Sequence, residues 1–202
     1  MRRLALALLL LIQVACGNSS QLAVKDGDLI FQKSLSSQSL AIQRATGSPY
    51  SHMGIVLLKG GKPFVLEASA TVRYTPLKRW IARGDDSHYV VKRLKNAPTV
   101  LTASALEKLH NVARQFTGRP YDLTFEWSDD RVYCSELVWK IYDRALHIQI
   151  GKLQRIKEFN LSDPVVQAKL RERYGNNIPE EEPVISPVAM FQSSLLTTVA
   201  EK

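Results

Sequence analysis

The chain has 202 residues, 27 Lys and Arg against 19 Asp and Glu, and a formal charge of +8. This length fits a single domain once a leader is set aside. The charge is not gathered into a basic tract interleaved with aromatics, which argues against nucleic-acid binding. With two cysteines, Cys16 and Cys134, and no CxxC or HExxH, neither a disulfide framework nor a metal site is expected.

Met1-Arg2-Arg3 is a charged start, Leu4 to Ile12 is a short apolar run, and Ala15, Cys16 and Gly17 are small. This is the layout of a signal peptide, too short to span a bilayer. The expected organisation is a signal peptide over 1–17 and one domain over 18–202, exported and periplasmic. Gln13-Val14-Ala15-Cys16 resembles a lipobox, with Gln13 where an apolar residue is usual. Lipidation of Cys16 gives a protein anchored to a membrane facing the periplasm; cleavage after Gly17 gives a plain periplasmic one. Both outcomes stay open, and membrane contact is expected only in the first.

Asp28 to Phe31 reads as a strand after the Asp26-Gly27 turn signal. Ser36 to Ala45 reads as a short helix. His52 to Leu58 and Phe64 to Ser69 read as a hairpin about Lys59-Gly60-Gly61-Lys62. A further strand over Thr71 to Tyr74, a helical turn over Pro76 to Ala82 and a strand over His88 to Leu94 follow. Leu101 to Phe116 carries one apolar stripe and ends at Gly118. A loop, Arg119 to Val132, leads to a helix from Cys134 to about Leu146. In the less regular last third, Asp163 caps a helix over Pro164 to Tyr174, and Ser186-Pro187 opens one more. Strands come first and helices later, an α+β layout.

Cys134 is the one thiol of the folded part, and it opens an amphipathic helix. The positive end of a helix dipole favours thiolate, the nucleophilic form. Against this stands the ordinary fate of a free cysteine, which is burial as a small hydrophobe. Cys134, Leu137, Val138, Ile141 and Ala145 share one side, so the thiol tops the face that packs inward, against the sheet carrying His52. The hairpin register is informative. If Lys59 pairs with Lys62, Gly54 lies opposite Glu67 and His52 opposite Ser69. His52 and Glu67 are then diagonal neighbours on one face, with no Gly54 side chain between them. A slip of one residue would separate them. A carboxylate beside an imidazole fixes its tautomer and supports the imidazolium. His88, His110 and His147 read as ordinary surface or helix-end residues.

Gly27-Asp28-Leu29-Ile30-Phe31, Ser51-His52-Met53-Gly54-Ile55, Glu67-Ala68, Gly118-Arg119-Pro120-Tyr121-Asp122 and Tyr133-Cys134-Ser135-Glu136-Leu137-Val138 form an ordered set. Together they resemble the YiiX-like, circularly permuted NlpC/P60 (papain-like) cysteine hydrolases. The resemblance implies a permuted papain-like α+β fold, an antiparallel sheet packed against helices, with histidine before cysteine in the chain. It implies Cys134 as nucleophile, His52 as base, Glu67 as orienting residue and Tyr121 as possible oxyanion support, with no cofactor. The implied chemistry is cleavage of an amide or related acyl bond through a thioester. The substrate is then a small molecule, peptide or acyl-amide, with a peptidoglycan fragment or a lipid among the options. Two alternatives stand beside this: a lipid-directed acyltransferase or hydrolase, and a non-catalytic envelope binding protein.

Overall fold

The computed structural model describes residues 23–202; the segment 1–17 expected to be a signal peptide, with Cys16, lies outside the described residues. In chain order the elements are β1 (Leu29–Gln32), α1 (Ser39–Thr46), β2 (His52–Lys59), β3 (Lys62–Ala68), β4 (Val72–Pro76), α2 (Leu77–Ile81), β5 (Val90–Leu94) and α3 (Ala97–Val100). Then come α4 (Ala103–Phe116), α5 (Cys134–Leu146), β6 (Gln154–Arg155), α6 (Pro164–Tyr174), β7 (Pro183–Val184), α7 (Pro187–Phe191) and β8 (Leu196–Glu201). Six strands form one antiparallel sheet in the order β4-β3-β2-β1-β5-β8, and β6 pairs with β7 apart from it. No helix among the described residues is long and apolar enough to cross a membrane.

Alternation along the strands gives the sheet two apolar faces. Leu29, Phe31, Met53, Ile55, Leu57 and Leu66 point to one face, where α4 and α5 cover them with Leu109, Leu137, Val138 and Ile141. Ile30, Val56, Val65 and Val91 point to the other, where Leu77 and Trp80 of α2 close a smaller core. The β2–β3 turn is made by Gly60 and Gly61, both at positive φ (56° and 74°), as a two-residue hairpin of matching twist requires. Its register is Lys59↔Lys62 through Ile55↔Leu66, as the Gly-Gly turn predicts.

Several boundaries differ from expectation. α1 starts at Ser39 and its N-cap position holds Gln38, so Ser36 does not cap it. The stripe assigned to Leu101–Phe116 breaks at Leu101. Thr102 caps α4 with its hydroxyl accepting from the Ala105 N–H at 3.2 Å, and the short α3 precedes it. β5 begins at Val90, leaving His88 outside the strand. β8, which pairs with β5 along the sheet edge, is an element the sequence reading lacks. The caps at Asp163 and Ser186 are as expected: Asp163 Oδ1 accepts from Val165 N–H at 2.8 Å and Ser186 Oγ from Ala189 N–H at 3.2 Å.

Candidate active site

α5 opens at Cys134 because Tyr133 is extended (φ −99°, ψ 171°) and Glu136 folds back, its Oε2 accepting from the Tyr133 N–H at 3.2 Å. Glu136 is buried beside Lys140, Oε1 to Nζ 2.7 Å. Burial pushes the Glu136 carboxyl up to about 7 against the pull of Lys140. Cys134 is the free cysteine of the described residues, and 3% of it is exposed. Its backbone N–H belongs to the first helical turn, which has no intrahelical acceptor for it.

The register sends His52, Gly54 and Glu67 to the α2 face, opposite the face that α5 covers. As expected, the cysteine helix packs on the sheet carrying His52, and it does so on the side away from the imidazole. The thiol and the ring come together because His52 is the first residue of β2, at the end of the strand. Gly54 allows β2 and β3 to close here. A Cβ on it would stand 2.4 Å from Val65 Cγ1 and 2.7 Å from the Leu66 carbonyl oxygen.

Glu67 is fully buried and takes four donors. Oε1 accepts from Thr75 Oγ1 (2.6 Å) and Arg83 Nη2 (2.5 Å); Oε2 accepts from Trp80 Nε1 (3.0 Å) and lies 2.7 Å from His52 Nε2. Burial alone would raise the Glu67 carboxyl, yet the His52, Arg83 and Thr75 bonds hold it at about 2. It is therefore a carboxylate, an acceptor only, and His52 Nε2 must carry the proton it shares. That leaves Nδ1 for the thiol. The imidazole stacks on Trp80, with centroids 5.8 Å apart. Burial disfavours its charged form, but hydrogen bonding to Cys134 and Glu67, with their charges, outweighs it and raises the His52 pKa to about 9.

Tyr121 stands beside Cys134 on a pinned backbone. Its N–H donates to the Ala70 carbonyl at 3.1 Å and it bridges to Val132. Its hydroxyl accepts from Gln38 Nε2 at 2.6 Å, so its own proton is free to point elsewhere. Burial, and the nearby Cys134 charge, raise the phenol well above its ordinary range and keep it a donor at neutral pH. Gln38 is in turn held through Oε1 by Arg173 Nη2, at 2.5 Å. Asp122 braces the loop, its Oδ1 accepting from the Thr124 N–H and hydroxyl at 2.8 Å each.

The geometry thus joins Cys134, His52, Glu67 and Tyr121. The other histidines lie elsewhere: His110 sits on Asp26 (2.9 Å), His147 ends α5 at φ 56°, and His88 is 4.0 Å from Glu201. Sequence reasoning missed Thr75, Trp80, Arg83 and Gln38. Nothing near them in the chain marks their role, since each reaches the site from another element.

Residues 23–200 match the model of the permuted papain-like amidase family YaeF/YiiX, C92. The chain belongs to this family. In the C92 family it is 53% identical, over 176 residues, to the uncharacterized protein YiiX of Escherichia coli strain K12, covering 87% of this chain and 86% of the relative. The crystal structure of YiiX from Escherichia coli O157:H7, described as a metalloprotein, superposes with a TM-score of 0.85 at 53% identity, covering 88% of this chain and 97% of that one. The permuted papain-like fold is therefore established, and at family level the chain is a cysteine hydrolase of the amidase kind.

Proposed function

We propose that the protein is a cell-envelope cysteine amidase that cleaves an amide or related acyl bond through a thioester on Cys134. The single observation that carries this reading is the Glu67 contact: a buried carboxylate held by three other donors lies 2.7 Å from His52 Nε2, which leaves Nδ1 as the nitrogen for the thiol. A merely structural histidine does not need so costly an arrangement, because each buried donor and charge around Glu67 must be satisfied. The envelope location rests on the leader-like sequence of residues 1–17.

In this mechanism the Cys134 proton rests on His52 Nδ1, a thiolate–imidazolium pair that a His52 pKa of about 9 favours at neutral pH, and Sγ attacks the carbonyl carbon. The Cys134 N–H and the Tyr121 O–H meet the developing oxyanion. The C–N bond breaks as Nδ1 returns the proton to the departing amine. Water, deprotonated by the same nitrogen, then splits the thioester. Glu67 stays ionised throughout and stabilises the imidazolium.

The description of the Escherichia coli relative raises the question of a metal. The residues here do not fit one. Both Glu67 oxygens are spent on donors, one of them the Arg83 guanidinium, and a cation would have to displace them. Among the described residues no group of three His, Cys, Asp or Glu side chains converges.

Labelling with iodoacetamide at neutral pH tests the pair. Wild type should label at Cys134 at least tenfold faster than His52→Ala, and Cys134→Ser should not label there. Equal rates for wild type and His52→Ala would sink the reading.

A further inference from the structure

The charges around the base balance among themselves. Whichever of the two holds the shared proton, Cys134 and His52 are neutral as a pair. The Glu67 carboxylate is matched by the Arg83 guanidinium, whose Nη2 donates to Oε1 at 2.5 Å. Two further guanidiniums then stand without a counter-charge. Arg73 Nε is 3.8 Å from Glu67 Oε1, too long for a hydrogen bond, and Arg79 has no ion-pair partner among the described residues.

Arg73, Arg79 and Arg83 line one pocket between β4 and α2, about 720 Å3 with its mouth included. Local chain geometry gathers them. Arg73 lies directly opposite Glu67 across β4 and β3, and opposed residues project to the same face, here the one that α2 covers. Arg79 and Arg83 are a helical turn apart, and the chain keeps its curl past the end of α2, the Arg83 N–H bonding back to the Trp80 carbonyl at 3.3 Å. No Asp or Glu is on the lining, and the Thr75 hydroxyl there is already given to Glu67. Asp85, just beyond Arg83, is taken by Lys33 at 2.7 Å.

Cations in the last turn of a helix suit its dipole, and this accounts for Arg79. It does not account for Arg73, which reaches the same space from an edge strand. Like charges around one void repel, and an anion between them removes that cost. The side chains are reachable, Arg73 being 50% and Arg83 41% exposed. Arg83 can keep its bond to Glu67 and still offer other N–H groups, since a guanidinium has several.

We propose that this pocket binds a phosphate group as its dianion, between Arg73, Arg79 and Arg83. Two unmatched positive charges call for a dianion, where a carboxylate would leave one over. Guanidinium forks also fit phosphate oxygens in pairs. The site is distinct from the thiol: Arg83 meets Glu67 at Oε1, whereas the imidazole is at Oε2. It does not depend on the amidase reading. The phosphate is the free ion or a monoester on a larger molecule, and both present the same group.

Isothermal titration calorimetry of the full protein with inorganic phosphate, in mildly alkaline buffer at low ionic strength, tests this. A one-to-one complex with a Kd of about 1 mM or tighter is expected. Arg79→Ala and Arg73→Ala should each weaken it at least tenfold, and Arg79→Lys, which keeps the charge but loses the fork, should fall between. Iodoacetamide labelling of Cys134 at the wild-type rate shows that each variant is folded; should one fail to fold, the other carries the test. Phenyl phosphate separates the sources. Binding as tight as inorganic phosphate or tighter marks a monoester, weaker binding marks the free ion, and either supports the pocket. No binding at about tenfold the expected Kd, or equal Kd values in wild type and the folded alanine variants, overturns the proposal.

Discussion

Glu67→Gln isolates the charge of the orienting residue from its shape. Gln offers one oxygen where Glu offers two. Facing that oxygen to Trp80 Nε1 and His52 Nε2 keeps both of those bonds and turns the amide NH2 toward Thr75 and Arg83. The Thr75 hydroxyl can rotate to accept, and Arg83, 41% exposed, can swing into solvent. The tautomer survives, so the predicted effect is electrostatic. A hydrogen bond to a charged group contributes about 1.5–3 kcal/mol, which is about one to two pH units on the imidazole. The His52 pKa should fall from about 9 to between about 7 and 8, since Cys134 still supports the cation while burial opposes it. The assay is heteronuclear NMR of the His52 ring across pH in both proteins. A pKa that stays within about half a unit of wild type would refute the claim that Glu67 stabilises the imidazolium.

Gly54→Ala puts a methyl group 2.7 Å from the Leu66 carbonyl oxygen and 2.4 Å from Val65 Cγ1, so it should lower stability by about 1–3 kcal/mol in urea unfolding; an unchanged midpoint would contradict the close approach. Tyr121→Phe keeps the ring and removes the donor, so acylation of Cys134 should slow about 100-fold in stopped-flow assays, while iodoacetamide labelling, which forms no oxyanion, should hold its rate. Stability should also follow pH with a definite sign. The raised His52 pKa contributes stability fully below 6.5 and loses it as pH rises through about 9, a span equivalent to about 3 kcal/mol. The depressed Glu67 pKa contributes above 4.5 and loses it as pH falls through about 2. Urea midpoints at constant ionic strength should therefore be highest near pH 5–6, and the fall toward pH 9 should shrink in His52→Ala.

The parts of this site that are local in the chain were legible in the sequence. Gly60-Gly61 and the alternation on either side of it set the hairpin register, and the register places Glu67 beside His52. Asp163 and Ser186 announce their helices because a cap acts over three residues. The illegible parts depend on which distant element lands where. Trp80 and Arg83 meet Glu67 only because α2 folds back over β3. Which face of the sheet α5 covers is a question of packing that its apolar stripe leaves undecided. β8 stays hidden because, at the sheet edge, Leu196–Glu201 buries only Leu196 and lacks clean alternation.

The hairpin has a consequence for how the site is born. His52 and Glu67 belong to adjacent strands joined by a two-residue turn, whereas Cys134 comes from a helix that docks across the sheet much later in the chain. Local hairpins close in microseconds, while distant contacts must wait for the fold to condense. The base and its support can therefore assemble ahead of the nucleophile, and the thiol meets its partner only when α5 seats. A chain that has not finished folding carries an unarmed cysteine. Reactivity is then a report on correct assembly, and a probe of the thiol reads out the packing of the whole domain.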